Sequence, residues 1–109
     1  MPDPADPLPP DLLQRTAATF GMLSATARLH IVWLLAAGER DVGTLATELG
    51  QSVATVSHHL AKLKLAGLVR SRRDGKRQIY LVDDPHVVEI VQLAVRHHSH
   101  QPESRRSAG

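Results

Sequence analysis

Apolar residues recur along this chain with two periods, and the change from one to the other divides it into elements. From Pro10, the positions Leu12, Leu13, Thr16, Ala17 and Phe20 keep the spacing of one helix face, and Gly21 is the expected stop. A second helix is expected from Ser24 to about Ala37, with Ala25, Leu29, Val32, Trp33 and Ala36 on one face and Gly38 closing it in a left-handed cap. Asp41 can cap a short third helix over 42–49, where Val42, Leu45, Ala46 and Leu49 follow i, i+3, i+4, i+7. Gly50 and Gln51 turn the chain, and Ser52 caps a fourth helix over 53–66. Its inward face is Val56, Leu60 and Leu63, leaving Ala54, Thr55, His58, His59 and Lys62 towards solvent. The period then shortens. Residues 68–72 and 77–82 are strand-like runs around Arg73-Asp74-Gly75-Lys76, and Asp-Gly is a strong hairpin-turn signal. A last helix opens with Asp84 as N-cap and Pro85 at its first position and runs to His100. Residues 1–9, rich in proline and aspartate, and the polar residues 101–109 read as a disordered arm and tail around one domain spanning 10–100.

Two short helices joined by a glycine-containing turn, the second starting with small polar residues, form the pattern of a DNA-reading helix-turn-helix. Small side chains at Ser52, Val53, Ala54 and Thr55 let such a helix approach base edges closely. Ser57 and His58 can hydrogen-bond to bases or phosphates, and Lys62 can meet a phosphate. The hairpin is too small to stand alone in water, so it must pack on the helices as a wing, with Arg72, Arg73, Lys76 and Arg77 at or near its tip. The expected architecture is mainly α with a small β-hairpin wing: a winged helix-turn-helix.

Charge sharpens this. The net charge is only +2, yet residues 51–82 carry seven bases against one acid, whereas 1–50 carry six acids against three bases and 83–109 four acids against three bases. A basic block between acidic flanks points to a polyanion met by one region of the surface. Composition removes other classes. With no cysteine there are neither disulfides nor thiolate metal sites. Three aromatics (Phe20, Trp33, Tyr80) leave the core to aliphatic residues. The longest apolar run, 31–37, falls far short of the ~20 residues that span a bilayer, and the first residues lack a secretory pattern. A cytoplasmic protein without a membrane partner is the expectation.

The last helix carries the second chemistry. At about 100° per residue, His97 lies about 20° round from His86 and His100 about 40° the other way. His86 and His97 are nevertheless about 16 Å apart along the axis, too far to share an ion bound at ~2.1 Å. Two such helices packed antiparallel would set Asp84 and His86 of one chain against His97 and His100 of the other, giving two symmetric sites per homodimer. Three imidazoles and a carboxylate suit Zn(II) or Co(II), and Ni(II) if the shell expands. Four protein ligands leave no open position for an activated water, and no nucleophile or acid–base pair stands beyond them, which argues against an enzyme.

With these elements in order, the chain resembles the ArsR/SmtB family of winged-helix metal-sensing repressors over residues 10–100. The likeness rests on Leu23-Ser24-Ala25-Thr26-Ala27-Arg28, Val56-Ser57-His58-His59-Leu60, Gly67-Leu68-Val69, Arg73-Asp74-Gly75, and above all Asp84-x-His86 with His97-x-x-His100. It implies a homodimer formed through the first and last helices, with Asp84, His86, His97 and His100 as an inter-subunit Zn(II), Co(II) or Ni(II) site. It also implies contacts from Val53, Ala54, Ser57 and His58 to a palindromic operator in the major groove. Val53 and Ala54 stand where relatives often have polar residues, a departure that bears on operator sequence. Thr44-Leu45-Ala46-Thr47 replaces the cysteine-rich stretch of the family's thiolate sensors, which disfavours arsenic, cadmium and lead. The mechanism expected is a dimer that metal moves out of its DNA-fitting spacing, with metal as co-repressor the opposite sign that the sequence leaves open; the resemblance implies that His97 links the site to the carbonyl near Gly67. A winged-helix regulator of the same family that does not sense metal is the alternative.

Overall fold

The computed structural model describes residues 1–99, so His100 and the expected tail at 101–109 lie outside the described residues. Helices α1 (Pro10–Leu23) and α2 (Thr26–Ala37) lead into a two-residue strand β1 (Arg40–Asp41). Helices α3 (Val42–Leu49) and α4 (Val53–Leu65) follow, then the hairpin β2 (Arg70–Asp74) and β3 (Arg77–Leu81), then α5 (Pro85–Ser99). The strands form one antiparallel sheet of order β1-β3-β2. A winged helix-turn-helix is therefore what this sequence builds, with a third wing strand that its two-residue length hid from any periodicity.

The core is aliphatic. Ile31, Val32 and Leu35 of α2 meet Leu45 and Ala46 of α3, Val56, Leu60 and Leu63 of α4, and Val87 and Val91 of α5, with Leu68 and Val69 sealing the end of α4. Burying each large aliphatic side chain stabilises by about 1.5–3 kcal/mol. Tyr80 and Val82 pack the sheet onto this cluster. Helix α1 contributes Leu23 and the partly buried Met22 at its end, while its Leu13 and Phe20 are 53% and 56% exposed.

Several boundaries differ from the sequence pattern. Gly21 does not stop α1: the helix runs on to Leu23, and the Ser24 hydroxyl donates to the Gly21 carbonyl at 2.7 Å, so Ser24 closes α1 instead of opening α2. Gly38 is extended (φ 167°, ψ 158°) and not left-handed, because the chain passes straight into β1. Arg40 then donates to the Leu34 carbonyl in the last turn of α2, and to the carbonyl of Gly38 just beyond it. The inward face of α2 is Ile31, Val32 and Leu35, and Trp33 is 38% exposed. The hairpin turn is Gly75-Lys76, Gly75 taking the positive φ of 64° that a two-residue loop demands.

Elsewhere the local signals hold. Asp41 caps α3 by accepting the Thr44 N–H, Ser52 caps α4 by accepting the Thr55 N–H, and Gly50 ends α3 in the left-handed region. Among the described residues no single helix is long and apolar enough to cross a membrane; the α1–α2 pair reaches that length only across a 93° bend.

Candidate nucleic-acid interface and metal half-site

Helix α4 presents its expected reading face. Val56, Leu60 and Leu63 are fully buried, which turns Ser52, Val53, Ala54, Thr55, Ser57, His58 and Lys62 outwards, all exposed. Val53 is half exposed with no partner in the core, as a residue at a helix start aimed at a ligand would be. His59 is a correction: it is half-buried instead of solvent-facing, with Nδ1 out of solvent and without a hydrogen-bond partner. Burial, followed by the charges of Arg28, His58 and Lys62, lowers its pKa.

The wing lies beside this face, tied to it by Lys64 of α4, which donates to the Ser71 hydroxyl of β2 at 2.7 Å. Its cations fall into two groups. Arg72 forks onto Glu39, Nε to Oε1 at 3.0 Å and Nη2 to Oε2 at 3.1 Å. Arg77 donates to Asp41 Oδ2, at 2.9 Å from Nε and 2.7 Å from Nη2. Arg70 pairs with Asp83. Arg73, Lys76 and Lys62 pair with no acid among the described residues. The Arg72 hydrogen bond holds the Glu39 carboxyl below its usual range, and Asp41 falls to about 2 through the Thr44 amide and hydroxyl and then Arg77. Glu39, and the second role of the cap residue Asp41 as partner of Arg77, escaped the sequence reading; two acids at i, i+2, the second a helix cap, in a chain with a basic hairpin, were the available signal.

At the start of α5, Asp84 Oδ1 accepts the His86 N–H at 2.9 Å and lies 3.4 Å from His86 Nδ1. Both side chains are exposed, and they share a hollow of about 400 Å³ with α1 and with Gly67 at the end of α4. His97 stands at the other end of the helix, in a different hollow beside Phe20, Ile90 and Leu93, with its ring edge-on to His98 at 5.0 Å. Among the described residues no three potential ligands gather within one chain. The fourth expected ligand, His100, is not among them. Within one protomer Asp84 and His86 stand together, a carboxylate and an imidazole that can supply two of the ligands of a borderline divalent cation.

A family signature described as bacterial regulatory protein, arsR family, matches residues 26–71. The HTH-type transcriptional regulator KmtR of Mycobacterium tuberculosis is 40% identical over 95% of this chain and 83% of its own length. A cadmium resistance transcriptional regulatory protein, the CadC homolog of Staphylococcus aureus, is 39% identical over 74% of this chain and 68% of its own. Among solved structures, a homodimeric winged helix-turn-helix DNA-binding domain from Mycobacterium bovis superposes with a TM-score of 0.73 at 38% identity, covering 84% of this chain and 88% of that one.

Proposed function

Because the chain belongs to the ArsR family of DNA-binding transcriptional regulators, and is no enzyme, we propose that it is a metal-responsive repressor whose homodimer holds Zn(II) or Ni(II) between its last helices. Co(II) satisfies the same donors. The observation that carries this reading is the pairing of Asp84 and His86 side by side in a hollow that also reaches Gly67. An incomplete ligand set touching the end of the recognition helix is what an inter-subunit sensor needs. His97 and His100 of the partner subunit complete the set, giving two ions per dimer.

Dimerisation rests on α1 and α5. Leu13, Phe20 and Leu93 are each more than half exposed, an apolar surface that a second copy covers. The cadmium-resistance name of one relative and the homodimeric state of one structural neighbour support the same reading.

A divalent cation, when bound, supplies a cross-link of fixed geometry between the two helices. The chain's own groups do the rest. Asp84 and His86 line the same hollow as Gly67 in the α4–β2 turn, so Gly67 lies beside the half-site of its own chain. Any bond from His97 to the Gly67 carbonyl therefore crosses the subunit boundary. Through it, the register of the α5 pair sets the separation of the two α4 helices, which must match successive major grooves about 34 Å apart. On the DNA, Ser52, Val53, Ala54, Thr55, Ser57 and His58 face base edges, while Lys62 and the wing cations Arg72, Arg73, Lys76 and Arg77 face the phosphates of a palindromic operator.

Equilibrium dialysis against Zn²⁺, Ni²⁺ and Co²⁺ tests the site. One ion per chain is expected for the wild type and loss of uptake for the double variant Asp84→Ala/His86→Ala. Equal uptake by both proteins would exclude this site.

A further inference from the structure

Four of the wing's cations look alike in sequence, yet the sheet treats them differently. Strand register places Arg72 opposite Ile79, and Ile79 opposite Asp41, so all three side chains share one face of the sheet. Ile79 is only 5% exposed although it stands outside the core cluster. Arg72 and Arg77 reach from the wing strands to Glu39 and Asp41 at β1. Asp41 serves two elements at once: Oδ1 accepts the Thr44 N–H at the start of α3, and Oδ2 accepts Arg77. The first helix of the helix-turn-helix and the wing are thereby fastened to a single carboxylate.

We propose that Glu39 and Asp41 are positioning residues for DNA binding: they hold Arg72 and Arg77 as a clamp that sets the wing against the helix-turn-helix, and leave its phosphate contacts to Arg73 and Lys76. Exposed ion pairs add little stability, so the consequence of the clamp is where the free cations are. Arg72 is committed to both oxygens of Glu39 and Arg77 to one oxygen of Asp41, so a phosphate would have to displace an acid already in place. Arg73 and Lys76 have no acid to displace among the described residues. This rests on the reading that the wing faces the DNA backbone, and narrows its phosphate set.

Salt dependence separates the two roles, because each phosphate contact contributes about 0.9 to the slope of log affinity against log salt. The probe is a short fluorescent duplex of mixed sequence, titrated with the full chain at several NaCl concentrations, each variant being checked for its helical circular dichroism. Arg73→Gln and Lys76→Gln should each make the slope shallower by about 0.9 per wing. Arg72→Gln and Arg77→Gln should lower affinity equally at every salt concentration and leave the slope unchanged. The exchange Glu39→Arg with Arg72→Glu should recover wild-type affinity, since the pair is rebuilt with its signs reversed. A slope for Arg72→Gln or Arg77→Gln as shallow as that for Lys76→Gln overturns the clamp, as does an exchange variant weaker than Arg72→Gln alone. If neither Arg73→Gln nor Lys76→Gln moves the slope, the wing does not face phosphate and the underlying reading fails with it.

Discussion

His59 holds a nitrogen out of solvent with nothing to bond to, between the recognition face and the core. The neutral ring with its proton on Nε2 is the form that this environment tolerates, and burial, Arg28, His58 and Lys62 all act against the cation. The folded pKa is below the unfolded value of 6.5, so the unfolded chain takes up a proton first as the pH falls. Stability is therefore fully present above about 6.5 and declines as the pH drops through that value towards the folded pKa. Denaturant midpoints at a series of pH values should fall over this window in the wild type and stay flatter in His59→Gln; parallel curves would show that another group titrates. The acids of the clamp have the same sign at a lower window. Their folded pKa values are depressed, Asp41 to about 2, so they hold the wing above the ordinary carboxylate range and release it as the pH falls below. Asp41→Asn should move acid unfolding of the hairpin to higher pH, as read by Trp33 or Tyr80 fluorescence or by hydrogen exchange of β3. None of this was visible in the string His58-His59, where both rings look equally exposed; only the inward path of Leu60 and Leu63 against α2 separates them.

Helix α4 turns the side chains proposed to read DNA outwards because its other face is fixed by three fully buried residues. Leu60→Ala should cost about 2–5 kcal/mol in chemical denaturation, since Leu60 is fully buried on the helix that packs against α2 and α3. At the wing, Gly75 has room for a Cβ but a φ of +64°, so Gly75→Ala should cost about 1–2 kcal/mol through backbone strain alone and lower DNA affinity through the displaced tip. Five helices and the hairpin were legible in sequence because each has a local cause: a capping side chain, a 3.6-residue period or a Gly-containing turn. The misses share a physical origin. Gly21 lies inside α1 because Ser24 supplies the closing bond, which a glycine alone does not reveal. Strand β1 exists only through its pairing with β3 and has too few residues for a period. The helical spacing of Trp33 with Leu29, Val32 and Ala36 places it on the inward face, whereas the buried residues of α2 are Ile31, Val32 and Leu35.

A single chain leaves the apolar faces of α1 and α5 exposed and the proposed metal ligands at opposite ends of one helix. The proposed antiparallel pairing of two copies accounts for both. Sedimentation should accordingly give a dimer, and Leu93→Asp, which sets a charge in the middle of that surface, should give a monomer that loses metal uptake and DNA binding together. A Leu93→Asp protein that remained dimeric would place the interface elsewhere. The proposed half-site rests on helical geometry, which keeps Asp84 and His86 at one end of α5 and His97 at the other, so that one chain alone cannot bring them to a shared ion. The central claim is that ligands on α5 govern the spacing of two α4 helices. It is tested most directly by titrating the duplex that the protein selects from a random pool, with and without Zn²⁺ or Ni²⁺, using the wild type and His97→Ala. Metal should weaken wild-type binding by about 5–150-fold, the usual span of coupling energies, and leave the variant, which binds as tightly as metal-free wild type, unchanged. An equal metal response in His97→Ala, or none in the wild type, would contradict the account.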